Sequence, residues 1–329
     1  MSSTPLPPLT RPVVASRAIG GPESSGAVPH WIVALVLVIL FVIWSNSFHA
    51  ISYFRRSVGL SSVDLLTLRY GPVALFCALW CAPRLRALRE TMARDGWRVV
   101  LMGLAMVPAY NLALNWGQAR VPPATASLII ATNPIFTFLL AMAFLGERGT
   151  PARVAGMALS FAGVYLLVET QRHGAPAGYT LSALVVLLAP VSWAVASVAG
   201  KQASGRNDPL LLTFASTGIG SIPFLFTFVF DPGLHERIAD FTSVGWIAWA
   251  HLTLLCTIVG FAAFFWALRH WSASAVSTFV FLNPPLTSLF GIIWGTETFH
   301  WSTAVFGGVT LLGVALGTGL LHGRRPTRA

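Results

Sequence analysis

Charge is scarce in this chain. Asp, Glu, Lys and Arg make up 10% of its 329 residues, against about 25% in an ordinary soluble domain, and that excludes a mostly wetted surface. Cysteine is scarcer still. Cys77, Cys81 and Cys256 show neither the CxxC spacing of a metal site nor a paired extracellular placement. All three fall in apolar runs and read as small packing residues. No Gly-x-Ser-Gly, no His-Glu-x-x-His and no pair of acids occurs within an apolar run, so an intramembrane protease or lipid transferase would lack its nucleophile, its metal or its acid pair. A sensor would need an output domain, and the loops are too short to hold one. Neither a metal nor another cofactor is expected.

What the chain has instead is apolar sequence, 55% of the residues, in blocks of about 20, the length a helix needs to cross the hydrocarbon core. "WIVALVLVILFVIW" (31–44) is one block and "LLGVALGTGLL" (311–321) closes another. Ten spans follow, roughly 31–50, 63–82, 97–117, 124–145, 151–169, 178–200, 208–230, 244–268, 274–295 and 301–321. The expected class is an all-α membrane protein whose surroundings are the lipid bilayer. Residues 1–29, rich in Pro, Ser and Gly, read as a disordered tail. The first apolar block is long for a signal peptide, so it is taken as a retained helix.

A formal charge of +10 raises nucleic acid as a partner, but the placement of the charge argues against one. With the N-terminus in the cytoplasm, fifteen of the 21 lysines and arginines lie in cytoplasmic loops and tails, five lie on the opposite side, and Arg69 lies within a span. That bias puts both termini inside. Arg84, Arg86, Arg89, Arg94 and Arg98 crowd one cytoplasmic loop; they serve as topology signals, with a lipid-binding or regulatory role as the alternative.

The chain also repeats itself. Asn133-Pro134 and Asn283-Pro284 stand 150 residues apart, and the same offset aligns Ser127 with Ser277, Thr137 with Thr287, Glu147 with Glu297, Gly163 with Gly313 and Trp116 with Trp266. Trp44 meets Trp193 at nearly the same spacing. This is a tandem duplication, with repeats at 30–172 and 173–322 and a basic tail at 323–329. Five spans per repeat turn the second upside down relative to the first. Inverted repeats are a common secondary-transporter plan, with the substrate site between them near the midplane.

"LGERGTPARVAGMALSFAGVYLL" (145–167), with its Gly-Glu turn and late glycines, resembles the end of the EamA domain of the drug/metabolite transporter superfamily. "WSNSF" (44–48) resembles that family's first helix and "LRYGPVALF" (68–76) its second-helix arginine segment. The resemblance covers about 31–322 and implies a transporter; relatives export amino acids, drugs and various metabolites. The second half departs from the pattern at Thr296, where the first has Gly146, and has no arginine matching Arg69. The resemblance implies a second-helix arginine across relatives with different substrates, which favours a structural or gating role for Arg69 over contact with a substrate carboxylate.

Asn-Pro is a poor pair for the middle of a buried helix. Proline lacks an N–H, so Pro134 is expected to free the carbonyl of Ile130, Pro284 that of Val280 and Pro285 that of Phe281. Irregular backbone at membrane depth is tolerated only against protein or a watery cavity. Helical spacing puts Ile129, Asn133 and Thr137 on one face and Phe279, Asn283 and Thr287 on its counterpart. Two free carbonyls and two amides near the axis would suit a substrate ammonium. Kinked helices with asparagines mending the backbone are the plainer alternative.

Pro108, Asn111, Asn115 and Gln118 form one polar stripe on the third span; Ile258, Phe261, Phe265 and Leu268 form its apolar counterpart on the eighth. Facing each other across a cavity, they would suit an amphipathic solute. Trp44, Tyr110, Trp116, Trp193 and Trp266 are further wall residues or interfacial anchors. His49 and His251 read as helix contacts before proton relays.

No Asp or Glu lies deep in a span; Asp64, Glu147, Glu169 and Glu297 stand at ends. The expectation is therefore an exporter of small amphipathic metabolites, amino acids first, working by facilitated alternating access in a bacterial inner membrane. Drug or organic-cation efflux is the alternative. Gly313-x-x-x-Gly317 is a small-residue packing face serving internal contact or dimerisation, so the chain is expected to be a monomer or weak dimer.

Overall fold

The computed structural model describes residues 28–145, 151–172, 175–230, 233–239, 241–271 and 273–318. The expected tails, apart from Val28 and Pro29, lie outside the described residues, as does Glu147 of the Gly-Glu turn. Every regular element among the described residues is a helix. The first half holds α1 (His30–Ser52), α2 (Ser62–Cys81), α3 (Leu85–Leu104), α4 (Tyr110–Gly117), α5 (Pro123–Ile130), α6 (Asn133–Leu145) and α7 (Pro151–Arg172). The second holds α8 (Tyr179–Val186), α9 (Leu188–Ser204), α10 (Pro209–Phe230), α11 (Leu234–Ala239), α12 (Ser243–Ala250), α13 (Gly260–His270), α14 (Ala273–Ser277), α15 (Asn283–Ile293) and α16 (Trp301–Thr318).

Seven helical stretches among the described residues are long and apolar enough to cross a membrane by length and composition, where the sequence suggests ten spans. The difference has two sources. The fifth and tenth expected spans contain shorter apolar helices, Val154–Thr170 and Trp301–Gly313. The second and third expected spans fuse into one stretch, Ser62–Gly117, of 56 residues. Straight, it would measure about 84 Å, far more than a bilayer core of about 30 Å. It is not straight: a 3₁₀ turn at Ala82–Arg84 and a non-helical Asp95 (φ −131°, ψ 20°) interrupt it. Arg69 also reaches Asn111, 42 residues on, at 3.2 Å, so the stretch folds back on itself as two legs.

The fold is held by contacts that are reciprocal between the halves. α2 packs on α10 and α7 on α16; α1 packs on α15 and α13, while α9 packs on α6 and α4. The α7–α16 crossing shows why glycine is needed there. A Cβ on Gly163 would stand 2.5 Å from Thr310 Oγ1, and one on Gly313 would stand 2.3 Å from the Ser160 nitrogen. Ser160 and Thr310 are themselves one repeat apart, so the same close approach is made twice. Gly313 thus serves an internal contact. Outside, large apolar side chains such as Leu79, Phe230, Ile247 and Trp301 are more than two-thirds exposed, as suits a lipid-facing surface.

The basic loop is partly tied down. Asp95, 1% exposed, accepts from Arg98 Nη1 at 2.6 Å and from Asn207 Nδ2 at 2.8 Å, while Arg94 Nη2 donates to Asn207 Oδ1 at 3.1 Å. This knot joins α3 to the turn after α9. Asp95→Ala leaves Arg98 and Asn207 without their shared acceptor and is expected to destabilise the fold by about 2 kcal/mol, read as a lower melting temperature in detergent; the exposed pair Arg86–Glu90 at 3.3 Å contributes little, so Glu90→Ala leaves the melting temperature unchanged.

Candidate functional site

Both asparagine–proline pairs open a helix rather than interrupt one. α5 ends at Ile130, the chain turns at Ala131–Thr132, and α6 starts at Asn133. In the second half a 3₁₀ segment, Thr278–Leu282, leads into α15 at Asn283. The plainer alternative, prolines kinking continuous helices, is not what the chain does: Pro134, Pro284 and Pro285 occupy first-turn positions, where the helix itself has no partner for an N–H. The discontinuities fall at matched places because the same Asn-Pro stands at matched places.

Asn133 Nδ2 donates to the carbonyl of Pro190 in α9 at 3.0 Å, and Asn133 Oδ1 accepts from Thr137 at 3.2 Å. Asn283 Oδ1 lies 3.0 Å from Ser45 Oγ, which lies 2.6 Å from the carbonyl of Phe41 in α1. Phe41 and Pro190 are the same repeat position, as are Trp44 and Trp193. Each broken helix is therefore tied to the first expected span of the other half, α6 to α9 and α15 to α1.

Between these ties sits an aromatic cluster. The rings of Trp44 and Trp193 meet edge to face, centroids 5.2 Å apart and planes at 87°. Tyr110, Phe261 and Phe264 lie 5.2, 5.4 and 5.1 Å from Trp193. Trp44 Nε1 donates to the carbonyl of Cys256 at 3.0 Å. The rings, both asparagines and Arg69 border a narrow cavity of about 50 Å³.

Arg69 reaches this cavity from α2. Its Nε donates to Thr257 Oγ1 at 2.8 Å and its Nη1 to Asn111 Oδ1 at 3.2 Å. Those acceptors have matching second tasks. Asn111 Nδ2 donates to the Met106 and Val107 carbonyls at 2.9 and 3.0 Å, and Thr257 donates to the Leu252 carbonyl at 2.9 Å. The carbonyls of 106 and 107 belong to a π-helical segment, Ala105–Ala109, and that of 252 to another, His251–Val259. π-Segments widen a helix and often mark functional sites. One guanidinium thus bridges the two.

A larger cavity of about 1340 Å³ opens where α1 ends, lined by residues including Arg56, Arg120, Tyr179, Glu297 and His300. His49 is buried at its wall, its Nε2 2.8 Å from the Thr287 carbonyl and its Nδ1 3.3 Å from Thr296 Oγ1. Glu297 Oε1 accepts from the Ala124 amide at 3.0 Å, at the start of α5, while Oε2 is buried without a hydrogen-bond partner. Burial pushes the Glu297 carboxyl above its ordinary range, and that outweighs the Ala124 amide and the charges of His49, Arg56 and His300, which act in the opposite direction.

Of the expected wall residues, Trp44, Tyr110, Asn111, Asn133, Trp193, Phe261 and Asn283 line the small cavity, and Arg69 joins them. Asn115 and Phe265 do not. Asn115 is fully buried with neither amide atom paired, and Phe265 packs on Phe264 and over Gly200. The polar stripe fails as a continuous wall because it leaves the small cavity within one turn of α4, between Asn111 and Asn115. Gln118 instead donates to the Phe48 carbonyl at 3.1 Å. Phe264, Thr257 and Cys256 were not among the expected wall residues; Phe264 and Thr257 carry no distinguishing signal, and Cys256 reads as a packing residue.

Comparison with known proteins agrees with this architecture. The model of the EamA-like transporter family matches residues 31–169 and 180–318. The chain is similar to a protein of Streptantibioticus cattleyicolor described as "Probable terminal-alkyne amino-acid exporter", 32% identical over 289 residues, 88% of this chain and 94% of that one. It is similar also to the Escherichia coli "Uncharacterized inner membrane transporter YedA", 23% identical over 290 residues, 86% of this chain and 89% of that one. A solved crystal structure superposes on 90% of this chain and 100% of its own with a TM-score of 0.63 at 20% identity, a likeness of fold.

Proposed function

The chain belongs to the EamA-like transporter family, and from that premise we propose that it exports small amphipathic metabolites, amino acids first, by alternating access through the cavity between its halves. The observation that carries this reading is the pair of broken helices at matched positions, each tied by its asparagine to the opposite half around one aromatic-lined cavity. Discontinuous helices at a repeat interface are where transporters bind solute. The similar "Probable terminal-alkyne amino-acid exporter" supports amino acids as the first class to assay.

The proposed topology has ten passes. The two legs of Ser62–Gly117 count separately, and the shorter apolar helices within α7 and α16 count as one pass each. The halves run in opposite directions and both termini face the cytoplasm, as the arginine bias supports; the membrane is taken as a bacterial inner membrane, that of the similar Escherichia coli transporter. On that topology the large cavity faces outward and the small one lies beneath it, closed by Trp44 against Trp193. The small cavity is narrow as it stands, about 50 Å³, and the proposed loading step parts those rings. The protein is read as a carrier without catalytic chemistry.

Drug or organic-cation efflux is the second reading. A quaternary ammonium is favoured by aromatic faces, which this cavity has, but it would share the space with Arg69. Counterflow in proteoliposomes tests the two together: vesicles are loaded with one unlabelled amino acid and entry of the labelled one is followed. Accumulation with an aromatic or branched amino acid, absent from protein-free vesicles, is the expected result. Accumulation of labelled tetraphenylphosphonium and of no amino acid would overturn it.

A further inference from the structure

We propose that the small cavity is an anion-accepting site, in which Arg69 receives the carboxylate of the exported solute while the surrounding rings take its apolar part. The inference rests on reading this cavity as the transport site, and it reverses the structural role that the sequence favours for Arg69.

Arg69 is 5% exposed, and both of its hydrogen bonds go to neutral oxygens, Thr257 Oγ1 and Asn111 Oδ1. The ion pairs found among the described residues are Arg86–Glu90 and Arg98–Asp95, so Arg69 has no acidic partner there. Every other residue bordering the cavity is apolar, aromatic or an uncharged polar group. The Tyr70 ring, whose centroid lies 5.0 Å from the Arg69 Cζ, adds a cation–π contact, but a buried cation with neutral partners alone is still an expensive arrangement. A solute carboxylate supplies the missing charge, and a guanidinium offers it a planar pair of donors. A scaffold needing only helix ties would meet that need with neutral groups, as Asn133 and Ser45 do elsewhere in this interface.

The tied bridge also gives the charge a function in the cycle. Arg69 holds the π-segments of both halves through Asn111 and Thr257, so an anion pulling on its guanidinium acts on both halves at once. A cationic solute meets like charge in a cavity that has no acid to offset it.

The test uses the full chain in detergent, with thermal stabilisation and tryptophan fluorescence as readouts, and three probes sharing one ring: phenylalanine, 3-phenylpropionate (no ammonium) and phenethylamine (no carboxylate). Phenylalanine and 3-phenylpropionate are expected to bind, and phenethylamine at least about tenfold more weakly. Asn111→Asp puts a carboxylate beside Arg69 and is expected to weaken both carboxylates by about tenfold or more. Arg69→Lys should retain part of the binding and Arg69→Gln none, while Arg86→Ala, on the exposed part of α3, matches wild type. Because Arg69→Gln also removes two helix ties, Asn111→Asp decides the matter should that variant fail to fold. Equal binding of phenethylamine and 3-phenylpropionate, or unchanged carboxylate binding in a folded Asn111→Asp protein, overturns the anion site. Binding of 3-phenylpropionate without counterflow of any amino acid supports the anion site and overturns the amino-acid reading alone.

Discussion

Proteoliposomes carrying Asn133→Ala together with Asn283→Ala are expected to lose counterflow by about a hundredfold, and those carrying either substitution alone by about tenfold. Asn133 is 4% exposed and Asn283 3%, and each lies at the first residue of a restarted helix facing the cavity. Removing Asn133 frees the Pro190 carbonyl of its side-chain donor and leaves Thr137 without its acceptor. Removing Asn283 takes away one of the two acceptors of Ser45. Each buried amide bond contributes roughly 1 kcal/mol, about a factor of five to ten, and the two ties sit on opposite sides of the cavity, so their losses should nearly add.

The measurement has a built-in control for folding. Both substitutions are small and create no overpacking, so the melting temperature should fall by only a few degrees while transport falls by orders of magnitude. A double variant that melts early and transports normally would make the Asn-Pro turns hinges and nothing more. Binding would then rest on the aromatic rings and Arg69.

Much of this was legible in the sequence. The duplication is plain from Asn-Pro at a spacing of 150 residues, and hydropathy alone marks a membrane protein. Hydropathy also separates the spans at 63–82 and 97–117, which the structure joins through a helical corner into Ser62–Gly117 and folds back as two legs. The candidate site was half visible. Residues identified by odd chemistry, such as Asn111, Asn133, Asn283, Trp44 and Trp193, border the cavity. Asn115 and Phe265 stand one turn beyond Asn111 and Phe261 on α4 and α13; the helical period places them on the right face but does not say where along the helix the cavity ends. Glu297 was read as lying at the end of a span, but the chain after α15 folds it inward onto α5. Such a return depends on tertiary contact and leaves no periodic trace.

That inward turn leads to the second large effect, a dependence on pH that Glu297→Gln should abolish. The Ala124 amide is one of the first-turn donors of α5, a helix that begins Pro122-Pro123 with no side-chain cap of its own; Glu297, from the other half, supplies the acceptor. The groups facing this carboxyl are His49 on α1, Arg56 just beyond it and His300 in the same loop, and all three favour ionisation, yet burial dominates and raises its proton affinity. For an acid raised in this way the folded state holds the proton more tightly than the unfolded chain. Its contribution to stability is therefore full below the ordinary carboxyl value of 4.5 and is lost as pH rises through the raised value. The wild-type protein should melt at progressively lower temperature as pH rises from about 5, while Glu297→Gln, which keeps an acceptor for Ala124 and cannot ionise, should hold a nearly flat profile across the same range. Ionisation is easiest once the outer cavity wets Oε2, so raising external pH should loosen the contact between the loop after α15 and the start of α5. Counterflow then becomes sensitive to external pH in the wild type and insensitive in Glu297→Gln. Parallel pH profiles for the two proteins, in melting and in transport alike, would show that Glu297 is an acceptor for one amide and has no part in opening the outer cavity.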